Sequence, residues 1–511
     1  MSPALVKAVT FLVGLAALLA GCGAPARHRV EVPVSGKLRL DGVTLVDTHD
    51  GHLTPGMSIL MDQGRILRIA PTEALPGDPS IQVVDATGKF VVPGYNDMHA
   101  HPLGPDDPSG TLALMLANGV TGFRQMHGTP ELLKERRDGT LPVGKEAPAL
   151  LAMPGSLLTP FNAGSIDDVV DEIQRQKEQG ADFIKIGLVS PAVFFAAIEE
   201  AKRVGLPSVG HLQAGVDAIE ASRAGFKAVE HLGPGDTIWV GCSTEEPALR
   251  AEIARRPVMK GPPIKLPSLE KLMMARIQKR LTNPAASEDE ANVTRLQRAL
   301  DTYSEEKCRA LAARLAADGN WQVPTLMRLR TQELADLPEF REDPNLRYVP
   351  PEVLQRWREV TDAFIQRPPG MRATYRAAYP RQLALTRLFD EAGVRMMAGT
   401  DDGGWEIAGF SLHQEFDELA KAGVTPLKIL QMTTLRGAEF LGRTATMGSV
   451  EVEKNADLVL LDANPVESVR NLHGIHGVVR AGFYYSREDL EALKARVEAG
   501  HGYLRQAETR K

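Results

Sequence analysis

Residues 91–103 read VVPGYNDMHAHPL. An apolar run passes through a Pro-Gly turn and ends on His99-Ala100-His101. Residues two apart in a strand share a face. Both imidazoles therefore aim at one point just past the strand end, an arrangement that suits a divalent metal ion. A lone His-x-His carries little weight, so its meaning depends on what the rest of the chain supplies.

Working outward, the middle of the chain alternates strand-like runs with helical stretches. The runs lie at 91–97, 119–126, 149–153, 182–189, 206–212, 226–232, 321–327 and 394–400. Between them stand segments of 3.6-residue periodicity such as SIDDVVDEIQRQKEQG and PAVFFAAIEEAKRVG, each closed by a glycine. Eight alternations predict an α/β fold, a (β/α)8 TIM barrel over residues 93–443. Two connections, 233–320 and 328–393, are oversized and charged. They read either as walls over the catalytic rim or as helices packed outside the barrel. Residues 412–442 read as the closing helices.

The flanks have a β texture. Residues 36–92 and 444–485 hold short alternating runs broken by Asp-Gly, Pro-Gly and Gln-Gly. Neither flank has enough strands to bury a core alone, so the two are expected to combine into one small β-sandwich built from both ends. Residues 486–511 read as a charged amphipathic helix.

The start of the chain reads as an address. Lys7 precedes an apolar run of about thirteen residues, AVTFLVGLAALLA, too short to span a bilayer comfortably. It ends in Leu19-Ala20-Gly21-Cys22, which resembles a bacterial lipobox. That resemblance implies a signal peptide at 1–21, a lipid on Cys22, a polar tether at 22–35 and an envelope location held by the anchor. The alternative is a plain secretory signal cut nearby. Gly23 follows the cysteine, so no inner-membrane retention signal of the aspartate kind is seen. Net charge is −6 and there is no dense basic run, which argues against nucleic acid as a partner. Cys242 and Cys308 leave one disulfide open, and there is no cysteine pattern for zinc. Any metal must sit on His, Asp, Glu or a modified lysine.

Candidate ligands recur where barrel active sites lie, at the C-terminal ends of the strands. His99 and His101 close the first strand, Lys185 lies on the fourth, His211 closes the fifth, His231 the sixth, and Asp401 follows the eighth. Any one of these could be a structural residue. Lys185 is the odd one, because an ammonium inside a barrel strand must be paired or chemically altered. Asp401 could cap a helix, although Asp402 suits that role better. Six such residues on five strands at one rim outweigh the separate bland readings.

The motifs PGYNDMHAH, GVTGFRQM, DFIKI, GHL, VEHLGPG, AGTDDGG, TTLRGAEFLG and MGSVEVEKNADLVLLD, spread over residues 36–485, resemble the amidohydrolase superfamily, in its imidazolonepropionase-like and prolidase-like branch. The resemblance implies two divalent ions, usually zinc, bridged by a carbamate formed on Lys185. His99, His101 and Asp401 would then hold one ion, and His211 and His231 the other. It also implies hydrolysis of an amide C–N bond by metal-activated hydroxide, with Asp401 as the general base. Expected substrates are dipeptides, Xaa-Pro-like among them, or N-acyl amino acids. A lactone, cyclic-amide or phosphotriester hydrolase at the same site is the enzymatic alternative, and a non-catalytic envelope binding protein the alternative of another class. Self-association is left open. His127 and Arg328 are candidate substrate contacts, with a solvated loop histidine and a surface ion pair as the competing readings; the same holds for Arg330. The family resemblance gives His413 a structural role.

Overall fold

The computed structural model describes residues 36–104, 108–256 and 280–508, with the side chains of 501–508 excepted. The expected signal peptide, lipidation at Cys22 and tether fall on residues outside the described ones.

Eight strands drawn from the two flanks form a single sheet. They are β1 (Leu38–Val46), β2 (Leu53–Asp62), β3 (Arg65–Pro71), β4 (Gln82–Asp85), β5 (Phe90–Pro93), β14 (Leu458–Leu461), β15 (Ile475–Arg480) and β16 (Phe483–Ser486). Their order is β16-β15-β14-β5-β1-β2-β3, with β4 also paired to β1. A small β-sandwich built from both ends was the expectation; strands from both ends do come together, and they share one continuous hydrogen-bonded network. The physical reason lies in β1. Its first half, Leu38–Asp41, pairs with β4, and Thr44 and Leu45 pair with β5. Between them its register against β2 shifts twice, and such bulges bend a strand. The bent sheet encloses its own fully buried core of Leu40, Ile59, Val91, Leu460 and Val479.

The run 91–97, expected as one strand, divides at Gly94. β5 runs antiparallel to β14 in the end sheet, while β6 (Tyr95–Ala100) begins a parallel sheet with β7 (Val120–Gln125). A Cβ at position 94 would overlap the Thr121 side chain. Glycine is what lets the chain pass from one sheet to the other at this close approach.

The middle strands lie in two parallel sheets. One is β6, β7 (Val120–Gln125) and β8 (Ala149–Ala152); the other is β9 (Ile184–Ile186), β10 (Ser208–Gly210), β11 (Phe226–Glu230), β12 (Trp321–Val323) and β13 (Arg395–Met396). Backbone hydrogen bonds link their edges. Asp182 N–H donates to Met153 O at 3.0 Å and Leu158 N–H to Lys185 O at 3.0 Å. On the other side Met98 N–H donates to Ala398 O at 2.9 Å. The helices between strands start and stop as their sequences dictate. Ser165 caps Ile166–Gln179 by accepting from Asp168 N–H, and Gly180 ends it at φ 88°.

Both long insertions reach the strand ends as well as packing outside. Leu281 and Thr282 of the first touch Arg328, and Trp357 and Thr361 of the second pack on and hydrogen-bond Trp405. Within the first insertion Cys242 and Cys308 form a disulfide. It ties the end of the helix Thr237–Gly241 to the helix Glu305–Ala317.

Candidate metal centre

All six residues singled out at the strand ends converge around Asp401. Its Oδ1 lies 2.9 Å from His101 Nε2 and 3.3 Å from His99 Nε2. Its Oδ2 lies 3.6 Å from His231 Nε2. Lys185 Nζ is 3.1 Å from His99 Nε2, and the His211 ring centroid is 5.2 Å from that of His231.

The local backbone explains the convergence. β6 ends with His99 wholly buried and His101 half-buried just past it. His231 and Asp401 both adopt left-handed backbone, φ 59° and 53°. Such conformations in non-glycine residues are costly and persist where surrounding contacts over-determine them. Here His231 N–H donates to Val323 O and Asp401 N–H to His99 O. Gly399 permits the last contact, since a Cβ there would stand 2.7 Å from His99 N.

The donor set fits a cation. His99 Nδ1 lies 2.7 Å from Glu230 Oε2. A carboxylate accepts, so Nδ1 carries the proton and Nε2 presents a lone pair. His231 Nδ1 is engaged by the Thr325 hydroxyl at 2.7 Å, leaving its Nε2 turned toward Asp401. His99, His231 and Asp401 each direct one ligand atom into a space where all lie within 4.8 Å of one another. Lone pairs facing one another in a buried pocket repel unless a cation stands among them. Lys185, 4% exposed, supplies one in its ordinary form. Burial draws its ammonium down to about 8, against the opposing pull of Asp401 and Glu230.

Several neighbours were not expected at the site, and Asp402, read as a helix cap, caps none among the described residues. Glu230 and Arg124 are wholly buried and paired at 2.8 Å. Burial alone would raise the Glu230 carboxyl, but Arg124 and His99 outweigh it and hold it near 2. Asp97 accepts from the N–H groups of His99 and Thr400 and from the Thr400 hydroxyl. Asp402 accepts from His101 N–H, so it orders the first strand's end. The visible signal for Asp97, Glu230 and Asp402 was their adjacency to the candidate ligands, in NDMHAH, VEHL and GTDDGG; Arg124 had none.

Arg328 does face the site, with Nε 3.3 Å from Asp401 Oδ2. Its other donors go to Leu281 O, Thr282 O and Glu406, and the Gln332 amide oxygen faces it as well. Where a substrate contact and a surface ion pair were the two readings, the guanidinium is 3% exposed and clasps the insertion to the loop after β13. Arg330 pairs with Glu339 and Glu418. His127 is exposed at the opening, near enough to His101 and Lys185 to feel their charge. Partial desolvation beside the site, with those charges, holds its pKa below the ordinary histidine value. His413 donates through Nε2–H to Asn118 O at 2.8 Å, in a structural position.

An α/β protein with parallel strands and a His/Asp metal-type site at their ends defines a broad class of hydrolases. Residues 376–487, which contain Asp401 and β13–β16, match the Amidohydrolase family. Across the chain the bottromycin amidohydrolase has a similar fold, with a TM-score of 0.65 at 22% identity over 91% of this chain and 90% of that one. A Xaa-Pro dipeptidase with bound methionine in its active site gives 0.57 at 18% identity, over 88% of this chain and all of its own. The adenine deaminase of Rubrobacter xylanophilus is 27% identical over 249 residues, 42% of this chain and 38% of the deaminase. The aligned segments thus span 38% or less of the curated relatives' own length. The family match thus links residues 376–487 to amidohydrolases, and the likeness of fold extends over most of the chain.

Proposed function

We propose that this protein is a binuclear metal-dependent hydrolase that cleaves an amide C–N bond in a small molecule, a dipeptide or an N-acyl amino acid. The observation that carries the reading is the cage of His99, His231 and Asp401 with a buried lysine, Lys185, at its edge. His99, His101 and Asp401 would hold one ion and His211 and His231 the other. Lys185 would be shared: its neutral amine adds to CO2 and loses a proton to give an anionic carbamate, which removes the buried ammonium. When bound, divalent ions such as Zn2+ acidify water and polarise a carbonyl oxygen.

The protein's own groups do the rest. Asp401 stands where it can take a proton from the attacking water and pass it to the leaving amine. Arg328 at its Oδ2 and its own backbone N–H on His99 O fix its orientation. Neutral His127 at the mouth is placed to meet a substrate carbonyl or amide. The edge-to-edge hydrogen bonds at Leu158 and Met98 support reading the two parallel sheets as one (β/α)8 barrel. The Cys242–Cys308 disulfide supports an oxidising compartment, in line with an envelope lipoprotein anchored at Cys22. A second reading, hydrolytic removal of an amine from a heterocycle, draws on the adenine deaminase match.

The test is metal stoichiometry on purified protein and a Lys185→Ala variant, with turnover of dipeptides, N-acyl amino acids and adenine. About two ions per chain, falling in the variant together with dipeptide turnover, is expected. One ion in both proteins with unchanged turnover refutes the binuclear reading, and turnover of adenine alone moves the assignment to deamination.

A further inference from the structure

Three fully buried side chains from three strands form a chain behind the ligand cage. Arg124 of β7 donates through Nε to Met98 O at 2.6 Å, gripping β6 one residue before His99. Its Nη2 meets Glu230 Oε1 of β11 at 2.8 Å, and Glu230 Oε2 takes the proton of His99 Nδ1 at 2.7 Å. Phe183 and Phe440 flank the guanidinium, with ring centroids 5.7 and 5.0 Å from Cζ. All three polar residues have 0% exposure.

Stability is a poor explanation for this arrangement. Desolvating a carboxylate and a guanidinium cancels most of what their attraction returns, and Arg124 Nη1 has no hydrogen-bond partner. What the pair does supply is a fixed negative charge on the far side of one imidazole. Strand alternation sends Glu230 inward beneath His99, while its neighbour His231, at φ 59°, turns back to the opening.

We propose that Glu230, held by Arg124, is a positioning residue that locks His99 with its proton on Nδ1 and strengthens Nε2 as a metal donor. The inference rests on reading His99 as a ligand. Partners of this kind behind a ligating histidine typically govern 10–100-fold in metal affinity. Glu230→Gln keeps the shape and a hydrogen-bond acceptor but removes the charge. The double change Arg124→Met with Glu230→Gln leaves no buried charge unpaired, so it preserves folding should the single variant not fold.

The experiment measures Co2+ affinity by chelator competition, alongside the visible Co2+ absorption and apo-protein thermal unfolding, for wild type and both variants. The expected result is a 10–100-fold loss of affinity and an altered cobalt spectrum in any variant whose apo form unfolds cooperatively. Unchanged affinity in a folded variant overturns the role of Glu230 while leaving the metal site standing. A wild-type chain that binds no cobalt overturns the metal-site reading, and this inference with it.

Discussion

A buried carboxylate with nothing to neutralise it behaves differently from one beside an arginine, and this chain holds both kinds. Glu230 faces Arg124 and stays ionised. Glu333, 7% exposed, has only the Gln382 amide on one oxygen and no partner on the other. Burial raises its carboxyl to about 8, against the weaker opposing pull of Gln382. In the unfolded chain the group ionises near 4.5, so between that pH and about 8 the folded state binds the extra proton. Stability from this group is therefore full below about 4.5, falls as pH rises, and is flat again above 8. Each pH unit of that window corresponds to about 1.4 kcal/mol, as an upper bound. Glu333→Gln is expected to raise Tm at pH 8 by several degrees and to change it little at pH 4.5. Equal shifts at both values would show that Glu333 titrates normally.

The candidate ligands themselves were legible because a residue at the end of a parallel strand is marked by its neighbours: apolar residues before it, a turn after it. Their supports were not. Glu230 meets Arg124 across 106 positions, and no local pattern announces a contact of that reach. Arg328 was placed at the rim correctly, but the carbonyls of Leu281 and Thr282 that consume its donors come from a charged insertion whose sequence says nothing of where it docks.

At the level of elements, alternation of strand and helix was readable over the whole middle section, and the boundaries moved by only a few residues. The exception was 91–97. Its apolar residues look the same whether buried in the end sheet or in the parallel sheet, so periodicity cannot show that the chain changes sheets at Gly94. The first insertion shows a different gain from structure. Its disulfide joins residues separated by 66 positions, and closing a loop of that size removes unfolded-state entropy worth about 4 kcal/mol in the chain-entropy account. Replacing Cys242 and Cys308 by alanine is expected to lower Tm by several degrees, and dithiothreitol to have a similar effect on wild type. Equal unfolding curves with and without reductant would show that the bond adds nothing to stability.

On the scale of the molecule, the two ends are mutually dependent. β5 pairs with β1 on one side and β14 on the other, and Lys89 bridges to Asp462 at 3.0 Å. A chain ended after residue 443 loses β14–β16 and leaves the β5 edge and the apolar residues beside it uncovered. Such a truncation is expected to be insoluble or to lack a cooperative unfolding transition; a soluble, cooperatively unfolding fragment would show that the parallel-strand section stands alone.

That pairing also fixes an order of events during synthesis. Lys89 and Asp462 are 373 positions apart, so at roughly 5–20 residues per second the first strands wait on the order of 20–75 s for the last ones to emerge from the ribosome. For that interval the nascent polypeptide carries an open, apolar sheet edge and has no finished form to collapse into. Until the final strands are translated, that edge is a template on which another chain could pair.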